Sequence, residues 1–256
     1  MPTVKLLSKI HYDYQLKLVE SQLKHTLKGL KVKIEKLEAT TYGWIQVNFS
    51  GEDERAALKC LEEEIGICPL SIEVLKKFST TKAYILSLGK DELRLDVGVI
   101  LPESTKIIIP LKQLQVQLAD GRKTILKELS ELFGFCKNMP LTVKIKSISE
   151  KQIEASLAEK QLNIYKRWTN SMLDRLIVLG ASHNETQNAI KISKCQNDVV
   201  SIESLGLFED VVVCKLGTDA IGLIPKIGKK LRHATITVFS PKKVLEFLNC
   251  NTALLL

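Results

Sequence analysis

The sequence predicts an α+β protein in three parts, and two patterns carry that expectation. Each end of the chain shows the same order of apolar periodicities: strand, helix, strand, strand, helix, strand. Between them lies a series of short alternating strands with one helical insertion.

In the first part, Thr3–Ile10 reads as a strand. A helix over Asp13–Lys28 follows, with Tyr12, Leu16, Val19, Leu23 and Leu27 at three- and four-residue spacing. Gly29 stops it. Strands over Lys31–Leu37 and Tyr42–Phe49 come next. A helix then opens at Ser50, with Asp53 three positions on, and closes at Gly66. Cys68–Leu75 is expected as the last strand. The βαββαβ order is that of a ferredoxin-like split unit, here residues 1–78.

In the middle part, 79–158, Lys82–Leu88, Leu93–Ile100 and Lys106–Leu111 read as strands, separated by turn signals at Gly89-Lys90-Asp91 and Leu101-Pro102. A helix over Arg122–Phe133 follows, with Ile125, Leu126, Leu129, Leu132 and Phe133 on its apolar face. Leu141–Ser149 and Gln152–Leu157 complete five strands. A helix between the third and fourth strands is the plan of an OB-type barrel, with that helix plugging one end.

Residues 159–174 form a connecting helix, with Leu162, Tyr165, Trp168 and Met172 on one side as domain-packing anchors. The last part, 175–256, repeats the first: Leu176–Leu179, a helix opened by Ser182 and Glu185, Val199–Glu203, Val211–Lys215, a helix broken near Pro225, and Thr235–Phe239. The whole is two ferredoxin-like units flanking a five-stranded barrel.

Charge and chemistry narrow the function. The 256 residues carry 37 basic and 29 acidic groups, for a net charge of +8 and a pI near 9.1. No uncharged stretch approaches the roughly 20 residues that span a bilayer. Lys5 and Lys9 break up the N-terminal apolar pattern, so no signal peptide is read there and a cytoplasmic protein is expected. The six cysteines form no CxxC pair, and neither a metal nor any other cofactor is expected. His11, His25, His183 and His233 fall on separate elements and outside HExxH or nucleophile-elbow patterns. No catalytic residue is named, and a non-enzymatic protein is expected.

The densest basic stretch holds Lys226, Lys229, Lys230, Arg232, Lys242 and Lys243 with no acid among them. Such a cluster in a folded region suits phosphate binding; the plainer alternative is a solvated surface near a helix end. Gly222–Lys230 fails as a phosphate loop, having five residues between its glycines and Lys230 where Ser or Thr belongs. Tyr42 and Trp44 point away from the first unit's helices, where Lys33, Lys5 and Gln46 share their face. That is the arrangement by which exposed sheets stack RNA bases. The alternative is that a neighbouring domain covers the face and buries both rings.

Asp210–Phe239, with Val213-Cys214-Lys215-Leu216-Gly217-Thr218-Asp219-Ala220 and Gly222-Leu223-Ile224-Pro225-Lys226-Ile227-Gly228, resembles the C-terminal signature of an uncharacterised archaeal family, domain-of-unknown-function family 2110. Ile109-Pro110-Leu111, Gln117-Leu118-Ala119-Asp120-Gly121, and Leu157 to Leu162 with Trp168 are also similar to it, so the resemblance spans the chain. Ile221 stands where that pattern has proline. The middle part resembles the ribosomal-protein-S-one type of OB domain, which implies RNA binding. Leu93, Leu95 and Ile108 occupy the positions where such domains carry stacking aromatics. The expectation is an RNA-binding protein acting near ribosome or RNA polymerase components through Lys226, Lys229, Lys230, Arg232, Lys242, Lys243, Tyr42, Trp44 and Lys33. The alternative is a protein-interaction or small-ligand-binding scaffold.

Overall fold

The computed structural model describes residues 3–71, 74–99, 105–149 and 152–249. The first sheet consists of β1 (Thr3–Lys9), β2 (Val32–Ala39) and β3 (Trp44–Gly51), in the antiparallel order β1-β3-β2. Helices α1 (Gln15–Thr26) and α2 (Glu54–Glu64) cover one face. Val4 and Leu6, Ile45, Val47 and Phe49, and Val19, Leu23, Ala57 and Leu61 form their shared core. The strands alternate apolar and polar because only one face is fully packed.

The expected strand over Cys68–Leu75 does not form among the described residues. Instead an isolated bridge joins Leu6 to Ile67, and Cys68 N–H donates to the Lys5 carbonyl at 2.8 Å. Pro69 follows and has no N–H to continue the ladder. Ile72 and Glu73 lie outside the described residues.

The expected barrel is present. Strands β4 (Thr80–Leu88), β5 (Glu92–Asp96), β6 (Lys106–Pro110), β7 (Pro140–Ile148) and β8 (Gln152–Leu157) close in the order β4-β5-β6-β8-β7, with β7 returning to β4. β5 is shorter than the expected Leu93–Ile100. Gly98 turns the chain at a φ of +79°, and a Cβ there would sit 2.5 Å from the Cys68 sulfur. Ile100, Leu101 and Pro102 lie outside the described residues, as does most of the Ser149-Glu150-Lys151 turn.

Two helices, not one, separate β6 from β7: α3 (Leu111–Leu118) and α4 (Leu126–Phe133). Leu111 therefore opens a helix instead of ending a strand, after Pro110 in extended conformation at its N-cap. Ile125 is the N-cap of α4 and is exposed, not part of its apolar face. α5 (Glu159–Asn170) anchors through Tyr165 and Trp168 as expected, whereas Met172 lies beyond the helix end and is exposed.

The last sheet has β9 (Arg175–Leu179), β10 (Val199–Ser204), β11 (Glu209–Cys214) and β12 (Thr235–Phe239) in the order β10-β11-β9-β12. α6 (His183–Ile192) begins with the expected Ser182–Glu185 capping box. α7 (Ala220–Gly228) runs unbroken through Pro225, on whose exposed side Ile221 also lies. α8 (Pro241–Asn249), not anticipated, packs Val244, Phe247 and Leu248 into the barrel core. One face of this sheet meets α6 and α7; the other, through Ile177, Leu179, Val211 and Phe239, belongs to the same core as the barrel, α4 and α5.

Candidate nucleic-acid interface

α7 buries Ala220, Leu223 and Ile227 against the last sheet, with the Asp219 carboxylate accepting from the Ile221 N–H. That packing turns Lys226 outward. The chain then leaves the helix through Lys229, Lys230, Arg232 and His233, all exposed. None of these three lysines, nor Arg232, makes a salt bridge among the described residues. Lys230, Arg232 and His233 line one wall of a cleft of about 240 Å³, and Glu185, Asn188 and Ile192 of α6 form its floor.

The facing wall comes from the first sheet's unit. Tyr12 and Tyr14, 37% and 44% exposed, stack with centroids 6.0 Å apart and planes 11° from parallel. His233 lies 5.4 Å from Tyr12, whose hydroxyl donates to the His233 carbonyl. Tyr14 donates to Glu185 at 3.3 Å; partial burial and that carboxylate raise its pKa, so the phenol stays neutral at physiological pH. The other oxygen of Glu185 accepts from Ser182, so both are engaged. The cleft thus offers the Tyr14 ring, stacked on Tyr12, beside a cationic loop.

A buried clamp holds the walls together. Gln15 accepts from the His11 and Tyr12 N–H groups through Oε1, and its amide donates to the Gly180 carbonyl at 2.9 Å. Nearby, His11 Nε2 lies 3.1 Å from the fully buried Glu209, and Leu207 and Phe208 insert into the first unit's core. Spacing alone puts Tyr12 in the helical stripe and says nothing of Tyr14. They precede the first helical residue and face the other end of the chain, a long-range contact that local periodicity does not encode.

Lys242 and Lys243 do not join this loop. They are exposed on α8, on the opposite sheet face from α7, and Lys242 pairs with Glu246 at 3.8 Å. The sheet between the two helices separates what sequence proximity suggested might converge.

Trp44 requires the larger correction. It is 2% exposed, packed edge-on against Tyr84 with centroids 5.3 Å apart. Lys9 Nζ sits 4.6 Å from its ring, and its indole N–H donates to Asp96 at 2.9 Å. No base can stack there, because the barrel covers that end of the sheet. Tyr42, at a turn tip, is 70% exposed and carries no ring or cation partner among the described residues. Lys33 is exposed on the open remainder of the face and pairs with Glu35 at 3.2 Å. Lys5 donates to the Gly98 carbonyl at 2.7 Å.

A second cleft, of about 460 Å³, opens between α1 and the start of α6, lined by Gln22, His25, His183 and Asn184. His183 Nδ1 lies 3.3 Å from the buried Asp210, and its Nε2 lies 2.9 Å from the Gln187 amide. Both ring nitrogens are occupied.

Fold and site together define an α+β protein with a closed barrel between two sheets and a cleft lined by Tyr14, Lys230 and Arg232. The chain belongs to the DUF2110 family: models of its N-terminal, central and C-terminal domains match residues 3–69, 76–169 and 173–239. Comparison with curated proteins gave no match. Among solved structures, an a/eIF2alpha-aDim2p-rRNA complex from Pyrococcus horikoshii is similar at 10% identity and a TM-score of 0.21, covering 47% of this chain and 60% of that one. A multidomain protein with nucleic acid binding domains from Streptococcus pneumoniae is similar at 9% identity and a TM-score of 0.23, covering 84% and 53%.

Proposed function

We propose that this chain is a non-enzymatic RNA-binding protein whose main contact surface is the cleft between Tyr12–Tyr14 and Lys229–His233. On this reading the flanking sheets are ferredoxin-like units and the barrel is of the OB type, supported by the four-strand order of the last sheet, by three strands of the same order in the first, and by the barrel order. The observation that carries the proposal is one cleft that joins Lys230 and Arg232, which make no salt bridge among the described residues, to the partly exposed Tyr14 stacked on Tyr12. Phosphates are drawn to the cations and unpaired bases stack on rings of this kind. Lys226 extends the cationic side along α7.

Affinity for a short single-stranded RNA, measured across a salt series, tests this. About four phosphate contacts give a log–log slope near −3. Changing Lys226, Lys229 and Lys230 together to glutamate is expected to weaken binding to all sequences and flatten the slope, with Tm nearly unchanged because the charges are exposed. Parent-like binding by that variant at every salt concentration overturns the cleft as the RNA surface and favours the scaffold reading.

A further inference from the structure

The barrel carries an exposed aromatic ring that the cleft does not use. Phe78, just before β4, is 58% exposed and has a φ of +68°, a backbone region that bulky L residues rarely adopt. The backbone is pinned there: Phe78 N–H donates to the Ile145 carbonyl at 2.8 Å, Ile145 N–H to Ser79 at 2.9 Å, and Ser79 N–H to Lys76 at 3.0 Å. The ring is therefore held against β7 with its side chain outside the core. Lys77 Nζ lies 5.1 Å and Lys144 Nζ 5.6 Å from its centroid. Lys76 and Lys146 are exposed beside them, and none of these four lysines makes a salt bridge among the described residues. Tyr42, although more exposed, has no such cationic frame.

We infer that Phe78 is a second nucleic-acid contact, stacking one unpaired base while Lys77 and Lys144 take the flanking phosphates. This rests on the RNA-binding reading and adds a site on the barrel that shares no residue with the tyrosine cleft. Stacking on a phenyl face does not depend on the sugar, so the ligand class is single-stranded nucleic acid. In the free protein the two ammoniums occupy the ring by cation–π attraction. Both chains are long enough to swing outward when a base arrives, moving charge from ring to phosphate.

The test uses the full chain and fluorescently labelled oligouridylate, with oligothymidylate as the DNA arm. Phe78→Ala is expected to weaken binding by roughly 5- to 150-fold with the salt slope unchanged, the range for loss of one stacked base. Changing Lys77 and Lys144 to glutamate is expected to flatten the slope by about 1.4. Phe78→Trp is expected to retain binding and to lose indole emission on addition of oligonucleotide, since Trp44 and Trp168 are buried. Phe78→Gly, which suits the φ, is expected to melt no lower than the parent. If the parent binds and Phe78→Ala binds equally well, the barrel site falls while the RNA reading stands. If the parent binds neither oligonucleotide at low salt, both fall. A Phe78→Gly protein that melts well below the parent makes the ring a structural plug and also overturns the site.

Discussion

The two outer sheets share an antiparallel plan but attach to the barrel by different physics. In the C-terminal sheet, β9 and β11 are buried on both faces, and Phe239 packs against Phe133, Tyr165 and Trp168 with centroids 5.3 to 6.1 Å away. The barrel and this sheet share one apolar core. The N-terminal sheet instead meets the barrel through a small cluster, Trp44, Cys68 and Tyr84, and through the Lys9–Asp96 ion pair at 2.6 Å. An apolar seam is tolerant of direction and strong in area. A polar seam is specific and depends on each partner being present. The C-terminal two-thirds are therefore expected to unfold together, and the N-terminal sheet to separate first.

The largest effects should expose that contrast. Phe239→Ala is expected to cost about 3–5 kcal/mol and to lower the unfolding midpoint of barrel and last sheet alike. Trp44→Ala is expected to cost about as much locally, but to release the N-terminal sheet while the remainder stays folded. Hydrogen exchange resolves the two cases: in Trp44→Ala, protection should fall in β1 and β3 and persist in β9 and β11. Uniform loss in both variants would show one cooperative unit.

A pH experiment sharpens the polar seam. Burial lowers the Lys9 pKa, and the Asp96 carboxylate opposes that shift. Asp96→Ala leaves a buried ammonium without its partner and is expected to cost about 3 kcal/mol near neutrality. Because the folded pKa of Lys9 then lies further below its unfolded value, the penalty is full below the folded pKa. It is relieved as pH rises from there toward the unfolded value. Denaturation of Asp96→Ala should therefore approach the parent at alkaline pH. A gap that stays constant through that range would show that Asp96 acts by shape, not charge.

The smallest effect concerns the thiols. Burial pushes Cys68 up to about 12, and Cys136 and Cys214 up to about 11. Alkylation at pH 8 is expected to leave all three unmodified in the native protein, since thiolate is the reactive form. In Trp44→Ala, Cys68 alone should become reactive, because it packs against that indole.

How much of this was legible in the sequence follows the same divide. Leu176–Leu179 is an unbroken apolar run, and the alternation of Ile45, Val47 and Phe49 is clear, so the strands and the barrel order were readable from periodicity. Val244, Phe247 and Leu248, three and four residues apart, are the sequence signal of α8. Pairings across units were not readable. Trp44 sits at an outward position by alternation and is buried only because the barrel covers that end of the sheet. Tyr12 faces His233 from 221 positions away. The cationic loop was visible as composition, but its aromatic partners depended on Gln15 and Glu209 closing one end of the chain onto the other.

The cleft itself is tested most directly by photo-crosslinking. The full chain is irradiated with a short single-stranded RNA carrying photoreactive uridines, and the linked peptides are identified by mass spectrometry. The account predicts adducts on the peptides holding Tyr12 and Tyr14 and on Lys229–His233, lost when Lys226, Lys229 and Lys230 are changed to glutamate. Adducts confined to the Tyr42 and Lys33 face, or unaffected by that charge reversal, would contradict it.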